Sequence, residues 1–292
     1  MRGSRLWTLG GIRLPDGVLA HPRGRMTLEG DGCRAAKERM VLLSAPAVYL
    51  LALTVCELAV ALWDPRVGLV GHLGLLATTL ALGSLSDGPA RALWLACAIG
   101  PLVRVVSLGS PMWAFPPMMW FVLSALPLFV SGMLVMRASG MRAVDVGLRC
   151  PGPRAWPLEL VVAASGLGLG AAEWYIVRPS PMALGTGAWQ LALSAIIILV
   201  CTGLLEEFLF RGVLRSAADR ALGSVASSLF GALVFAALHI GYRSLLDLLF
   251  VGLVALYFDQ VVRRTGSIVG VTVAHGLTNI VLFVLIPLWR VG

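Results

Sequence analysis

Long apolar runs separated by short polar breaks are the main pattern along the chain. The breaks are rich in Pro, Gly and Asp, as at 64–66 and 87–89. A helix needs about 20 apolar residues to cross a bilayer core about 30 Å thick. By that measure the pattern predicts nine membrane spans, at 40–63, 67–86, 91–108, 117–136, 158–177, 189–210, 224–241, 244–262 and 267–287. Because 91–108 and 224–241 are short enough to be re-entrant, the predicted fold is an all-α, polytopic transmembrane bundle of eight to nine helices.

The composition excludes several other classes of protein. Hydrophobic residues make up 58% of the 292 residues and charged residues 13%, whereas a soluble domain has about 45–50% and about 25%. Soluble globules and disordered chains are therefore excluded. The five cysteines are scattered and odd in number. We interpret them as small buried hydrophobic residues, not as disulfides or metal ligands.

The basic charge is explained by its distribution between alternate loops. The formal net charge is +8, from 23 Lys and Arg against 15 Asp and Glu. With the N-terminus inside, eighteen cations fall in cytoplasmic segments, and four fall in outer segments: Arg66, Arg178, Arg243 and Arg290. This split predicts a multi-pass protein of the cell membrane with a cytoplasmic N-terminus. A nucleic-acid partner is not needed to account for the charge.

Composition shifts predict four regions along the chain. Residues 1–39 have no apolar segment of the signal-peptide kind and are predicted to be a cytoplasmic N-terminal tail. Residues 40–136 form an N-terminal four-helix membrane region, and 137–157 form a basic cytoplasmic loop. Residues 158–287 form a second membrane region, which carries the candidate chemistry.

Two adjacent glutamates and an arginine lie near the end of the sixth predicted span. A charge at the bilayer centre costs at least about 2.5–3.5 kcal/mol, so ionisable residues inside spans are functional candidates. Glu207 and Arg211 are spaced i,i+4 and can pair on one helix face, whereas Glu206 points about 100° away. Glu206 is therefore a candidate general base, and Glu207 with Arg211 a supporting pair. An ordinary helix-end ion pair remains the alternative.

The seventh and ninth predicted spans add two histidines and an amide. His239 ends the run Phe235–His239, and His275 is spaced i,i+4 from Asn279 on the ninth span. A histidine and an asparagine side by side offer two hydrogen-bond donors, as an oxyanion hole requires. Either histidine alone is also compatible with a simple packing role. Together with Glu206, the set is suited to activating water and stabilising a tetrahedral intermediate.

These three segments resemble a known family. EEFLFRG, FAALH and HGLTN are similar to the EExxxR, FxxxH and HxxxN motifs of the CPBP group, also called the CAAX-prenyl-protease-like or Abi family. The resemblance covers about 158–287. It implies an intramembrane endopeptidase in which Glu206 and His239 activate water and His275 and Asn279 stabilise the oxyanion. The implied partners are the lipid bilayer and a membrane-associated protein or peptide substrate, prenylated or not.

Two alternatives to this mechanism stay open. Glu206, His239 and His275 are three possible ligands for zinc, which would leave one open position. A glutamate that binds metal cannot also act freely as a base, so we favour a mechanism without a cofactor. The second alternative is a non-catalytic scaffold, immunity or chaperone protein of the same fold.

The depth of the motifs and the remaining ionisable residues give further predictions. If every span were centred on the bilayer midplane, Glu206 and His239 would lie on opposite sides of it, too far apart to share a water. We therefore expect the sixth helix to be longer than its predicted span and to run on towards Leu222. Arg104 in the third span is predicted to pair with Glu173 or with Glu57. The i,i+4 spacing predicts two more pairs, Arg243 with Asp247 and Asp259 with Arg263.

Overall fold

The structure is a computed structural model that describes residues 44–110 and 114–291. The predicted tail at 1–39 lies outside the described residues. The described part contains nine helices long and apolar enough to cross a membrane and no strand. They are α1 (Ser44–Trp63), α2 (Pro65–Leu85), α3 (Gly88–Gly109), α4 (Pro117–Ala138), α5 (Trp156–Val177), α6 (Ala188–Leu222), α7 (Ser224–Tyr242), α8 (Leu245–Thr265) and α9 (Val269–Arg290). The all-α transmembrane class is confirmed, with nine helices in the described part.

The sixth helix is much longer than the span predicted for it. α6 has 35 residues, which at 1.5 Å per residue is roughly 50 Å of helix. The predicted continuation to Leu222 is confirmed. Its last turns, Arg215–Leu222, alternate charged residues with buried alanines at 217 and 218. This amphipathic end therefore packs on the bundle after the apolar part of the helix has finished.

Two π-helical segments interrupt α6 near the glutamate pair. The segments Leu199–Leu204 and Glu207–Leu214 are π-helical, and Glu206 lies in the short stretch between them. π-turns are rare in proteins and occur frequently at functional sites. In α7, regular α-helix ends at Ala237 and a 3₁₀ turn follows at Ile240–Tyr242. His239 lies at that change of helix type.

Glycines let α5 approach the backbone of α9. A Cβ atom at Gly166 would collide with the main chain of Ala274, and one at Gly170 would meet the main chain of Thr278. The Thr278 hydroxyl donates to the carbonyl oxygen of Gly166 at 3.2 Å. Small residues at such crossings are typical of membrane helices, because packing there depends on close van der Waals contact. The approach fixes the height of His275, which follows Ala274.

A loop of residues 139–155, the cap loop, joins α4 to α5 and closes one end of the bundle. The Ser216 hydroxyl on α6 donates to the carbonyl oxygen of Asp145 at 2.6 Å. The main-chain N–H of Arg142 donates to the Asp145 carboxylate at 2.8 Å. That hydrogen bond lowers the pKa of Asp145 below its usual range. The cap loop is thus held both internally and against the long helix.

Arg104 pairs with Glu57 and not with Glu173. Its Nε donates to Glu57 Oε1 at 2.9 Å, and its Nη2 lies 2.8 Å from Glu57 Oε2. His72 completes the group, with Nε2 3.4 Å from Glu57 Oε1. The same Nη2 of Arg104 donates to the carbonyl oxygen of Leu238 at 2.9 Å. Arg104 therefore connects α1 and α3 to the residue before His239.

Of the two other predicted ion pairs, one forms. Arg263 Nε donates to Asp259 Oδ2 at 2.7 Å, as predicted. The predicted pair of Arg243 with Asp247 is wrong. Arg243 has a left-handed backbone, with φ of 54°, and precedes the start of α8, so helical i,i+4 spacing does not apply. Its guanidinium donates instead to the carbonyl oxygen of Ala61.

Candidate active site

Glu207 contacts both Arg211, from its own motif, and His275, from the third motif. Arg211 Nη1 donates to Glu207 Oε1 at 3.0 Å, as the i,i+4 spacing predicts. His275 Nδ1 lies 2.7 Å from the same oxygen. Because a carboxylate only accepts hydrogen bonds, this contact assigns the Nδ1 proton to His275. Glu207 is fully buried, so its two partners balance its charge within the protein.

Glu206 is the exposed member of the glutamate pair. Its side chain is 31% exposed, and its Oε2 lies 3.7 Å from His275 Nε2. The imidazole of His275 therefore lies between two carboxylates, one at each nitrogen. A ring that carries a proton on each nitrogen can donate to both carboxylates.

His239 has the opposite hydrogen-bonding character. Its Nδ1 lies 2.9 Å from the carbonyl oxygen of Phe235. A carbonyl accepts, so Nδ1 carries the proton and Nε2 of the neutral ring remains an acceptor. The Phe235 ring packs on the His239 ring with centroids 4.7 Å apart. Arg211 lies over the same Phe235 ring, with its guanidinium carbon 4.3 Å from the ring centroid.

Asn279 is oriented by α6. Its Nδ2 donates to Thr202 Oγ1 at 3.0 Å, and the Thr202 hydroxyl donates to the carbonyl oxygen of Ile198 at 2.7 Å. One N–H of the Asn279 amide is thereby fixed, which sets the direction of the second. Thr202 was not a sequence candidate, although its i,i+4 spacing from Glu206 places both on one face of α6 in a regular helix.

A single cavity of about 710 Å³ brings the four predicted catalytic side chains together. Glu206, His239, His275 and Asn279 all line it. The structure thus places residues from α6, α7 and α9 around one space. Glu207 does not line this cavity, but it contacts two residues that do, Arg211 and His275.

Two further charged residues line the same cavity and come from outside the three motifs. They are Arg104 on α3 and Glu173 on α5. Sequence reasoning identified both as intramembrane charges and offered Glu173 or Glu57 as the partner of Arg104. The pairing of Arg104 with Glu57 leaves Glu173, which is only 6% exposed, as a second acidic side chain in the cavity wall.

The three ligands of the zinc alternative do not form a metal site. Within residues 44–110 and 114–291, no group of three or more His, Cys, Asp and Glu side chains is arranged to hold a metal ion. A zinc site requires three protein ligands around one point. Glu206, His239 and His275 share a cavity without meeting that requirement.

Comparison with known families identifies one match. Residues 188–281 match the model described as type II CAAX prenyl endopeptidase Rce1-like, over roughly a third of the chain. The matched segment contains all three motifs and all four residues placed around the cavity. Neither the curated proteins nor the solved structures compared with the chain gave a match. Residues 188–281 therefore carry the Rce1-like pattern, and the CPBP resemblance predicted from three short motifs is confirmed.

Proposed function

We propose that the protein is an intramembrane endopeptidase that hydrolyses a peptide bond of a membrane-associated protein or peptide. The family match supports a protease of the CAAX type. The observation that carries the proposal is the shared cavity, in which Glu206 lies 3.7 Å from His275 and which His239 and Asn279 also line. A base, an acceptor and two donors around one space are the parts that peptide hydrolysis requires.

Glu206 is proposed as the general base. As the oxygen of a bound water bonds to the carbonyl carbon of the substrate, Glu206 takes one proton of that water. His239 Nε2 accepts a hydrogen bond from the other proton and orients the water. When the carbon–nitrogen bond breaks, the proton held by Glu206 passes to the leaving amine. Glu206 returns to its starting state and no other reactant is consumed.

His275 and Asn279 are proposed as the oxyanion donors. Attack by water moves an electron pair onto the carbonyl oxygen, which then needs donors directed at it. His275 supplies one through Nε2, in the form of the ring that carries both protons and donates to Glu207 through Nδ1. The amide N–H of Asn279 that Thr202 leaves free supplies the second. No step in this scheme uses a metal, so we propose a cofactor-free mechanism.

The test compares the new protein termini that appear in cell membranes. Cells lacking the gene are complemented with wild type, Glu206→Gln or Asp219→Asn, and membrane-protein N-termini are quantified by mass spectrometry. Glu206→Gln keeps the size of the side chain but removes the base, so product termini should fall by about 100-fold or more. Asp219→Asn removes a carboxylate from the same helix outside the cavity and should leave them in place.

Two results would contradict the proposal. If every terminus seen with wild type persists in Glu206→Gln at equal abundance, the protein is not this protease and the non-catalytic alternative stands. If purified protein loses activity on exhaustive chelation and regains it with stoichiometric zinc, the cofactor-free mechanism is wrong.

A further inference from the structure

The exposure of the residues that line the cavity changes from one end to the other. Deep in the protein the wall is made by buried residues such as Leu209, Arg211 and Phe258. At the other end the lining residues are exposed, as at Pro117 and Ser180. The mouth of the cavity therefore lies at the end where Pro117 and Ser180 are found.

The exposed lining residues belong to loops and helix ends on one side of the bundle. Pro117 begins α4, residues 179–182 lie between α5 and α6, and Tyr242 ends α7. Successive spanning helices alternate in direction, so the α3–α4, α5–α6 and α7–α8 connections share one side of the membrane. The mouth is formed at that side.

The cap loop lies on the side of the bundle opposite the mouth. None of residues 139–155 lines the cavity. Ser267 Oγ donates to the carbonyl oxygen of Arg149 at 2.9 Å, and Ile268 N donates to the carbonyl oxygen of Gly147 at 3.0 Å. These contacts join the cap loop to the connection between α8 and α9, and Val146 of the cap loop is completely buried. Among the described residues, every exposed one that lines the cavity lies instead at the mouth.

The distribution of arginine assigns the two ends to the two sides of the membrane. In the part of the chain that the structure describes, the loops and helix ends on the side of the cap loop carry nine arginines, at positions 91, 137, 142, 149, 154, 215, 220, 263 and 264. The segments at the mouth end carry four. The positive-inside pattern therefore places the cap loop in the cytoplasm and the mouth on the outer side.

We propose that the protein cleaves the extracytoplasmic part of its substrates, which enter the cavity from the outer side of the membrane. This inference rests on the proposed function. The wall nearest the mouth is largely apolar and aromatic, with Trp120, Phe121, Met182 and Phe283. It suits an apolar or lipid-bearing segment next to the scissile bond. The substrate class is thus a membrane-anchored protein with its cleavage site outside the cytoplasm.

Cysteine labelling tests the side of the mouth without reference to catalysis. Cys150 is a native exposed thiol on the cap loop, and Ser180 lies at the mouth. Intact cells are treated with a membrane-impermeant maleimide in three variants: Cys33→Ser, Cys33→Ser/Cys150→Ser, and the latter with Ser180→Cys. We expect labelling above the double-serine background for Ser180→Cys in intact cells, and for Cys150 only after permeabilisation. Labelling of Cys150 in intact cells, with Ser180→Cys protected, would overturn the proposal.

The positions of the cleavage sites test the substrate class. Termini that appear with wild type and disappear with Glu206→Gln should map to extracytoplasmic segments of membrane proteins. Glu206-dependent termini confined to cytoplasmic segments would refute the inference while supporting the protease itself. If no terminus depends on Glu206, the proposed function fails, and the inference about substrates fails with it. The labelling result still decides the side of the mouth.

Discussion

Replacing Arg104 by methionine should destabilise the protein strongly, because it removes the cation from a buried carboxylate. Glu57 is fully buried, and both of its oxygens lie within 2.9 Å of the Arg104 guanidinium. Removing one partner of a buried ion pair costs about 3–5 kcal/mol, since the remaining charge is left uncompensated. The Arg104 side chain is 19% exposed and His72 stays near Glu57, so we expect the lower part of that range.

The control is the variant that removes both charges. Glu57→Met/Arg104→Met leaves no isolated charge, and such double replacements are often neutral or stabilising. The free energy of unfolding is measured by denaturant titration in detergent micelles for wild type, both single variants and the double variant. The double variant should recover most of the stability that Arg104→Met loses.

Activity provides a second readout of the same substitution. Arg104 donates to the carbonyl oxygen of Leu238, which directly precedes His239. The double variant lacks this donor, so its cleavage rate should remain below wild type after stability has recovered. An Arg104→Met variant within about 1 kcal/mol of wild type, or a double variant as unstable as the sum of the single ones, would refute the reasoning.

Three further predictions concern helix packing, the oxyanion donors and the cap loop. Gly166→Ala should lower the free energy of unfolding by about 1–3 kcal/mol, because its Cβ would collide with α9. Gly168→Ala, two residues along with open space around it, should change it by less than about 1 kcal/mol, so equal effects would contradict the packing argument. Thr202→Val removes the acceptor that orients Asn279 and should reduce kcat about tenfold, less than the 10²–10³ lost with an oxyanion donor itself; an unchanged kcat would argue against that role. The lowered pKa of Asp145 means that its carboxylate contributes stability at neutral pH that is lost as the pH falls below its ordinary value of 3.8. Asp145→Asn should therefore show a shallower loss of stability on acidification, measured by thermal unfolding across pH, and an identical slope would exclude the contribution.

The sequence was sufficient for contacts that lie within one helix. Hydropathy located the nine helices, and i,i+4 spacing identified the Glu207–Arg211 and Asp259–Arg263 pairs, because helical geometry alone decides which residues share a face. Spacing failed for Arg243, where the backbone leaves the helix before the partner residue is reached.

Contacts between helices could not be predicted in the same way. Periodicity shows which face of a helix is polar, but not which neighbour that face meets. Three contacts depend on how the helices pack against one another. They are the hydrogen bond between His275 and Glu207, the hydrogen bond from Asn279 to Thr202, and the pairing of Arg104 with Glu57. The motifs identified segments whose polar side chains line one cavity, while the hydrogen-bond network that orients those side chains required the structure.

The π-turns of α6 have a consequence for how related sequences are aligned. A π-turn closes its hydrogen bond one residue later than an α-turn, so it accommodates an additional residue without lengthening the helix by a full turn. A relative with one residue fewer between 199 and 204 can form ordinary α-helix there and still present the glutamate pair at the same height. Single-residue gaps just before the first motif should therefore be treated as genuine length variation, and a procedure that forbids gaps inside helices would misplace Thr202 in such relatives.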